Sequence, residues 1–423
     1  VRGPAALSCQ GVLGARVERP EESHSAVPAK RAAPTLQAPS TPRRGVGAGR
    51  ADGPTARAGA RRTTAPILVR VVRDGIEESL HRGHVVEVDV DGRIRRLVGD
   101  PETVVTLRST VKPFGLVALF DAGGVEAFDI TAPELAIMAS SHSGEDVHVR
   151  TIQALYRRAH ISQAALACGS EGMPLDALTA ARLARDGESA GPIRHMCSGQ
   201  HSVFLLLCRL NGWTTDEYWL AEHPAQVAYR AAVARAFGTR PDRLRLAIDG
   251  CGIPTYAFPL REVARAYAMF AEPAAVSATD PRHELAPALT RIRDAMLAHP
   301  ELVAGSRDRL DTSLMKAVPG RVVSKAGMEA LRGIAILRGP RVNGRTSPDD
   351  PSGVALKIED GGGYERGTWS ASVETLRQCG VLDAGPLRLL ARYHRPMEID
   401  PHGRVAAESS PVFDLAPVGE LLD

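Results

Sequence analysis

The stretch Arg108-Ser109-Thr110-Val111-Lys112-Pro113-Phe114 sets a serine three residues ahead of a lysine. On a helix that spacing stacks both side chains on one face, about one turn apart, so that the amine reaches the hydroxyl. A serine hydroxyl is a weak nucleophile until a neighbouring base takes its proton. A lysine serves as that base only when burial or a second cation lowers its pKa. Taken alone, the pattern equally describes a helix N-cap followed by a solvated lysine. Pro113 fits the first turn, whose N–H groups lack partners anyway, but it disfavours helical backbone at Lys112, so an irregular start to this helix is expected.

Two later stretches raise the value of the first. Ser141-His142-Ser143 and Lys325-Ala326-Gly327 follow it in the order in which penicillin-binding proteins and class A β-lactamases carry Ser-x-x-Lys, Ser-x-Asn and Lys-Thr-Gly. Three elements in one order at domain-sized separations arise by chance far less often than one. Ser143 in place of the asparagine and Ala326 in place of the threonine argue against a β-lactamase itself.

Working outward, Ile67 to Arg73, Glu78 to Gly83 and His84 to Asp91 read as strands, and Asp91-Gly92 as a hairpin turn into Arg93 to Asp100. Helical periodicity follows in Pro133 to Met138, Glu145 to Ala159, Asp176 to Arg185, His201 to Asn211, Glu222 to Phe237 and Leu260 to Phe270. Strand patterns return at Leu244 to Ile248, Val322 to Lys325, Gly333 to Leu337 and Val354 to Glu359. The pattern predicts a mixed α/β (α+β) fold: an antiparallel sheet from both ends of the chain, about 66–105 and 320–400, with a helical subdomain at about 110–310 between them. Lys325, on a late strand, then lies beside the helix that follows the early strands.

At 423 residues the chain can bury one large core or two medium ones. Its charge of +3 is concentrated in residues 1–65, which hold 11 Arg or Lys against four acidic residues. Rich in Ala, Pro and Arg and without apolar periodicity, this segment cannot offset its ordering entropy and is expected to be disordered. The Ser and Lys chemistry therefore belongs to residues 66–423. With aromatics at 4% and no basic face, nucleic-acid binding is excluded; without a run of about 18 apolar residues, so is a membrane span. Six scattered cysteines make no disulfide framework, and a cytoplasmic protein with reduced thiols is expected. Cys168, Cys208 and Cys379 read as small buried hydrophobes. Cys197 and Cys251 stand at element boundaries beside glycine and a His or Asp, where a structural role and a site role weigh equally.

From Leu68 to about Gly385 the chain resembles the bacterial asparaginases of the rhizobial type. The resemblance rests on His81-Arg82-Gly83, Gly99-Asp100-Pro101, Arg108 to Phe114, Ala139 to Glu145, Cys197-Ser198-Gly199, Asp249-Gly250-Cys251, Ser324 to Gly327 and Leu356 to Gly361. It implies a serine β-lactamase-like fold, hydrolysis of L-asparagine to L-aspartate and ammonia, and a homodimer. Two Ser/Lys pairs are implied, Ser109 with Lys112 and Ser141 with Lys325, and a zinc site with ligands at Cys197, Cys251 and a lysine. That lysine is Gln200 here, and an amide oxygen is a weaker donor suited to harder cations, so the zinc is expected to be weakened or absent.

On this reading Ser109 attacks with Lys112 as base, Ser141 being the alternative attacker. Ser141 and Lys325 relay a proton to the departing ammonia, and the backbone N–H groups of Ser109 and Met328 hold the oxyanion. Arg108 is a candidate clamp for the substrate carboxylate, Asp249 a candidate for its amine or a ligand, and His142 and His201 candidates for substrate contact or support of the site. Two alternatives stand beside asparagine hydrolysis: a serine amidohydrolase of another small amide or lactam, and a catalytically weakened binding protein, which the loss of the lysine at Gln200 motivates.

Overall fold

The computed structural model describes residues 64–339, 350–361 and 366–418. The expectation of disorder for residues 1–65 falls almost entirely outside these, as does Cys9. The ordered chain opens with β1 (Ile67–Arg73), β2 (Ile76–Asp89) and β3 (Ile94–Val98). Read from the sequence as two strands, Glu78 to Gly83 and His84 to Asp91 form the single strand β2. Its first half pairs with β1, and its second half lies between β3 and a strand from near the other end of the chain. The changeover falls at Gly83, where a Cβ would stand 2.2 Å from the Lys357 carbonyl oxygen, so only glycine fits the strand there. The expected turn at Asp91-Gly92 is present, with Gly92 at φ 89°.

A short strand, β4 (Val104–Thr106), joins β5 (Arg245–Ile248) and β6 (Pro254–Pro259) in a separate three-stranded sheet ordered β4-β6-β5. The strand pattern at Leu244 to Ile248 is present as β5 in this second sheet, and the early chain's share of the main sheet ends with β3 at Val98 where about residue 105 was expected. Late in the chain come β7 (Val322–Gly327), β8 (Leu331–Ile336), β9 (Ser352–Ile358), β10 (Met397–Ile399) and β11 (Val405–Pro411). The main sheet runs β10-β11-β1-β2-β9-β8-β7, antiparallel throughout, with β3 against β2. This is the antiparallel sheet from both ends of the chain, extended past residue 400 by β11.

The helical subdomain lies between the two groups of strands. Its helices fall within a few residues of expectation: Ala132–Met138, Asp146–Ala159, Ala177–Asp186, Ser198–Asn211, Pro224–Ala236 and Leu260–Ala271. Ser198–Asn211 is buried along nearly its whole length, from Ser198 to Cys208. The helix Leu260–Ala271 lies directly on the sheet. A Cβ at Gly353 on β9 would meet the Ala264 carbonyl oxygen at 2.0 Å, and one at Gly333 on β8 would enter the Tyr267 ring. Strand side chains alternate between faces, so Ala355 and Ala335 share the helix side with Gly353 and Gly333, Val354, Leu356 and Ile334 point to the opposite side, and all five side chains belong to one apolar core. The sheet's other side is covered by the helix Arg366–Gln378. Among the described residues no helix is long and apolar enough to cross a membrane.

Candidate active site

The turn that carries Ser109 is a 3-10 turn, Arg108–Val111, continuing into one α-helical turn, Lys112–Gly115. The irregular start is present, but Lys112 itself is helical (φ −56°, ψ −43°), so the preference imposed by Pro113 is overridden. Arg108 adopts φ 47°, a left-handed conformation that costs a non-glycine residue on the order of 1–3 kcal/mol unless its surroundings fix it. They do: its N–H donates to Thr255 Oγ1 at 3.0 Å, and its guanidinium donates to Asp249 at 2.8 and 3.4 Å. The backbone reversal turns the Ser109 side chain to the wall of a cleft of about 510 Å³, which Ser141, Ala326, Gly327 and Met328 also line.

Ser141 comes from the loop after the helix Ala132–Met138, where Ala139 to Glu145 are all buried. A buried loop needs a partner for each polar backbone group, and this one has them. Ser141 N–H donates to the Val303 carbonyl (2.9 Å), and the Ser140 and Ser141 carbonyls accept from Lys112 (2.8 Å) and Arg309 (2.9 Å). The Gly144 N–H donates to His142 Nδ1 (3.1 Å), and the Gly144 carbonyl accepts from Arg194 (2.7 Å). The hydroxyl of Ser141 is thereby fixed between two amines, Lys325 Nζ at 2.7 Å and Lys112 Nζ at 3.3 Å.

Both lysines are fully buried. Burial, reinforced by the charge on Lys112, pushes the Lys325 amine well below its ordinary range. Lys112 faces three acceptors: the Ser140 carbonyl, Ser141 Oγ and Cys197 Sγ at 3.2 Å. The i, i+3 spacing thus brings Lys112 and Ser109 to one turn without a hydrogen bond between them; the amine turns inward, and the Ser109–Lys112 pair expected from the sequence is not formed. Lys325 and Ser141 do form the pair expected of them.

The other expected residues divide differently. Arg108 and Asp249 neutralise each other, so neither presents a free charge to a substrate. His142 is buried behind Ser141, its Nδ1 accepting from Gly144 and its Nε2 facing Ser198 Oγ at 2.8 Å. Burial, helped by the neighbouring charge of His148, holds its pKa well down, and the ring is a support for the loop. His201 is likewise buried, with Nδ1 2.6 Å from the Tyr218 hydroxyl, and burial holds its pKa at about 3. Neither histidine lines the cleft.

Cys197 and Cys251 are brought together, as the resemblance implied. A hydrogen bond from the Cys251 thiol, with the charge of Lys112 behind it, holds the Cys197 thiol well below its ordinary pKa in spite of burial. The same bond holds Cys251 up. Within the pair the proton thus favours Cys251, and Cys197 Sγ faces Lys112 Nζ at 3.2 Å. These residues do not fit a zinc ion. Gln200, where a lysine donor was implied, directs its amide NH2 to the Tyr229 hydroxyl at 3.0 Å. Among the described residues no three His, Cys, Asp or Glu side chains gather as a metal set. Cys197 Sγ instead faces the Lys112 amine.

Three residues essential to the arrangement escaped the sequence reading. Asp311, buried, accepts from Ser324 Oγ (2.6 Å), the Ala326 N–H (3.0 Å) and the buried Arg332. Burial alone would raise its carboxyl, but the charge of Arg332 and these hydrogen bonds more than offset that and hold it below its usual range. Asp311 and Arg332 thus clamp the strand on which Lys325 stands. The third, Arg309, lines the cleft beside Ser141. A Gly-Ser-Arg-Asp-Arg run at 305–309 reads as a solvated loop, and only the fold brings it to the site.

The L-asparaginase II family matches residues 69–411. No curated protein sequence matches the chain. Among solved structures it is similar to Mglu in its native form, at 15% identity over 72% of this chain and 67% of that one with a TM-score of 0.35. A second Mglu structure gives 16% identity, 72% and 69% coverage and a TM-score of 0.36. The family match extends from the first strand of the main sheet to the last residues of β11, and on that span the chain is an amidohydrolase of the L-asparaginase II family.

Proposed function

We propose that the chain hydrolyses L-asparagine to L-aspartate and ammonia, as a cytoplasmic asparaginase of the rhizobial type. The observation that carries the chemistry is the 2.7 Å contact between Ser141 Oγ and a Lys325 amine held unprotonated by its burial. Ser141 Oγ gives its proton to Lys325 Nζ and bonds to the side-chain amide carbon. The carbon–nitrogen bond then breaks, and ammonia leaves with the proton returned by Lys325. Water attacks the resulting ester by the same route and frees aspartate, so no species is left over. The charge of Lys112 disfavours a second charge on Lys325, and Lys112 itself faces Cys197 Sγ.

A second reading keeps Ser109 as the attacker, its proton passing through Ser141 to Lys325. The left-handed Arg108 favours it, since that residue holds Ser109 at the cleft wall. The two readings separate in one experiment. On the first, Ser141→Ala abolishes ammonia release from L-asparagine while Ser109→Ala retains measurable turnover, and a covalent aspartyl adduct trapped by acid quench maps to the Ser141 peptide. An adduct on Ser109 reverses the assignment. A folded wild-type protein that releases no ammonia from asparagine, but does so from another small amide, overturns the substrate and leaves the chemistry.

A further inference from the structure

An α-amino acid amide brings a carboxylate, and the residue expected to receive it, Arg108, is already neutralised by Asp249. The charges that line the cleft decide where else it can go. Asp176, Arg307, Asp308, Arg309, Asp311 and Arg332 all line it. Arg307 makes a two-pronged ion pair with Asp176, at 2.9 and 2.7 Å. Arg332 is paired with Asp311, and Asp308 with Arg392, which lies outside the cleft lining. Arg307 also approaches Glu145 at 3.4 Å, and among the described residues Arg309 is the one cation of the lining that forms no ion pair with a carboxylate.

The position of that charge is as telling as its existence. Nη2 of Arg309 donates to the Ser141 carbonyl at 2.9 Å, which ties the guanidinium to the backbone of the serine that faces Lys325. Nη1 is buried and has no hydrogen-bond partner in the protein. A buried donor left without a partner is destabilising, and a planar guanidinium is matched by a carboxylate in two-pronged geometry. We infer that Arg309 is the residue that binds the α-carboxylate of the substrate, and so restricts this cleft to amides that carry a carboxylate near the reacting carbon. The inference rests on the reading of the cleft as an amino acid amide site. It assigns Arg309 two tasks at once: it recognises the anion and, through Ser141, fixes the distance between that anion and the attacking hydroxyl.

The test compares L-asparagine with L-asparaginamide, in which the α-carboxylate is a neutral carboxamide, on the full chain and on Arg309→Gln and Arg309→Lys, each first shown to melt cooperatively. Loss of a hydrogen bond to a charged group corresponds to about a 10- to 100-fold effect. The expected result is that Arg309→Gln lowers the preference for asparagine over asparaginamide by that factor, chiefly through KM for asparagine, with Arg309→Lys in between. An equal fall on both substrates would assign Arg309 only to the positioning of Ser141 and overturn the inference. Binding of L-aspartate by calorimetry separates this outcome from failure of the functional reading. A wild-type protein that binds aspartate without hydrolysing asparagine, and loses that binding in Arg309→Gln, keeps the inference while the proposed activity falls. Aspartate binding that is absent, or unchanged in the variant, overturns the inference whatever the activity.

Discussion

Lys325 is the residue at which function and stability oppose each other. A buried amine without a carboxylate in contact favours its neutral form, so its pKa in the folded chain lies below the value of about 10.4 that it regains on unfolding. Between those two values the unfolded chain binds more protons, and stability rises with pH across that window. Below the folded-state value the whole cost is present. Lys325→Met, which keeps the volume and removes the charge, is therefore expected to lower kcat at least about 100-fold and to flatten the rise in unfolding free energy between about pH 7 and pH 10. Urea titrations of both proteins at several pH values check this. Identical slopes would mean that Lys325 is charged in the folded chain and is not the base. Asp311 shows why part of this site could not be read from the sequence. Nothing local distinguishes it from its neighbour Asp308, yet it is buried against Arg332, whereas Asp308 is exposed. Lys112 makes the complementary point. Its spacing from Ser109 was legible, but the acceptors that draw its amine away, the Ser140 carbonyl and Cys197, come from elements 28 and 85 residues further along the chain.

At the scale of elements, legibility followed periodicity. Six helices and β1, β7, β8 and β9 announced themselves by apolar pattern, with ends found within a few residues, while β2 read as two strands and the helices Ala286–Ala298 and Arg366–Gln378 went unread. Elements without such a pattern escaped. β4 has three residues, β6 is bounded by prolines, and β10 and β11 (Met-Glu-Ile and Val-Ala-Ala-Glu-Ser-Ser-Pro) alternate too weakly to stand out. The helix Ala286–Ala298 opens on a proline in its first turn, which masks its start. What no periodicity conveys is how closely elements approach, and the seat of helix Leu260–Ala271 on β9 depends on it. Gly353→Ala places a methyl group 2.0 Å from the Ala264 carbonyl oxygen and 2.2 Å from the Ala268 nitrogen, both backbone atoms that cannot rotate aside. The helix must lift from the sheet, and overpacking of this kind costs about 3 kcal/mol. Urea unfolding of the variant checks the figure, and a loss below about 0.5 kcal/mol would show that the contact yields freely.

For the molecule as a whole, the main sheet is completed only when both ends of the chain are present. Val69 to Val72 on β1 pair with Pro411 to Glu408 on β11, in antiparallel register, so residues more than 330 positions apart are neighbours in the ladder. Such pairings close late, because the loop entropy must be overcome before their contacts form. Without β10 and β11, β1 becomes an edge: a strand with buried Leu68, Val69 and Val71 and a row of unpaired backbone groups, which is a template for association between chains. The helix Arg366–Gln378 would lose one of its supports as well, since Gln378 is anchored to the Phe413 carbonyl at 2.8 Å and to the Leu415 N–H at 2.6 Å. The cleft itself would keep every lining residue, as the last of them is Trp369. A chain ending at Pro396 is thus expected to lose ammonia release together with its cooperative thermal transition and to aggregate on gel filtration, although no group that touches the substrate is removed. If the shortened chain melted cooperatively and remained active, the site would rest on β2, β7, β8 and β9 alone, and the pairing of the two chain ends would serve only to cover the edge of β1.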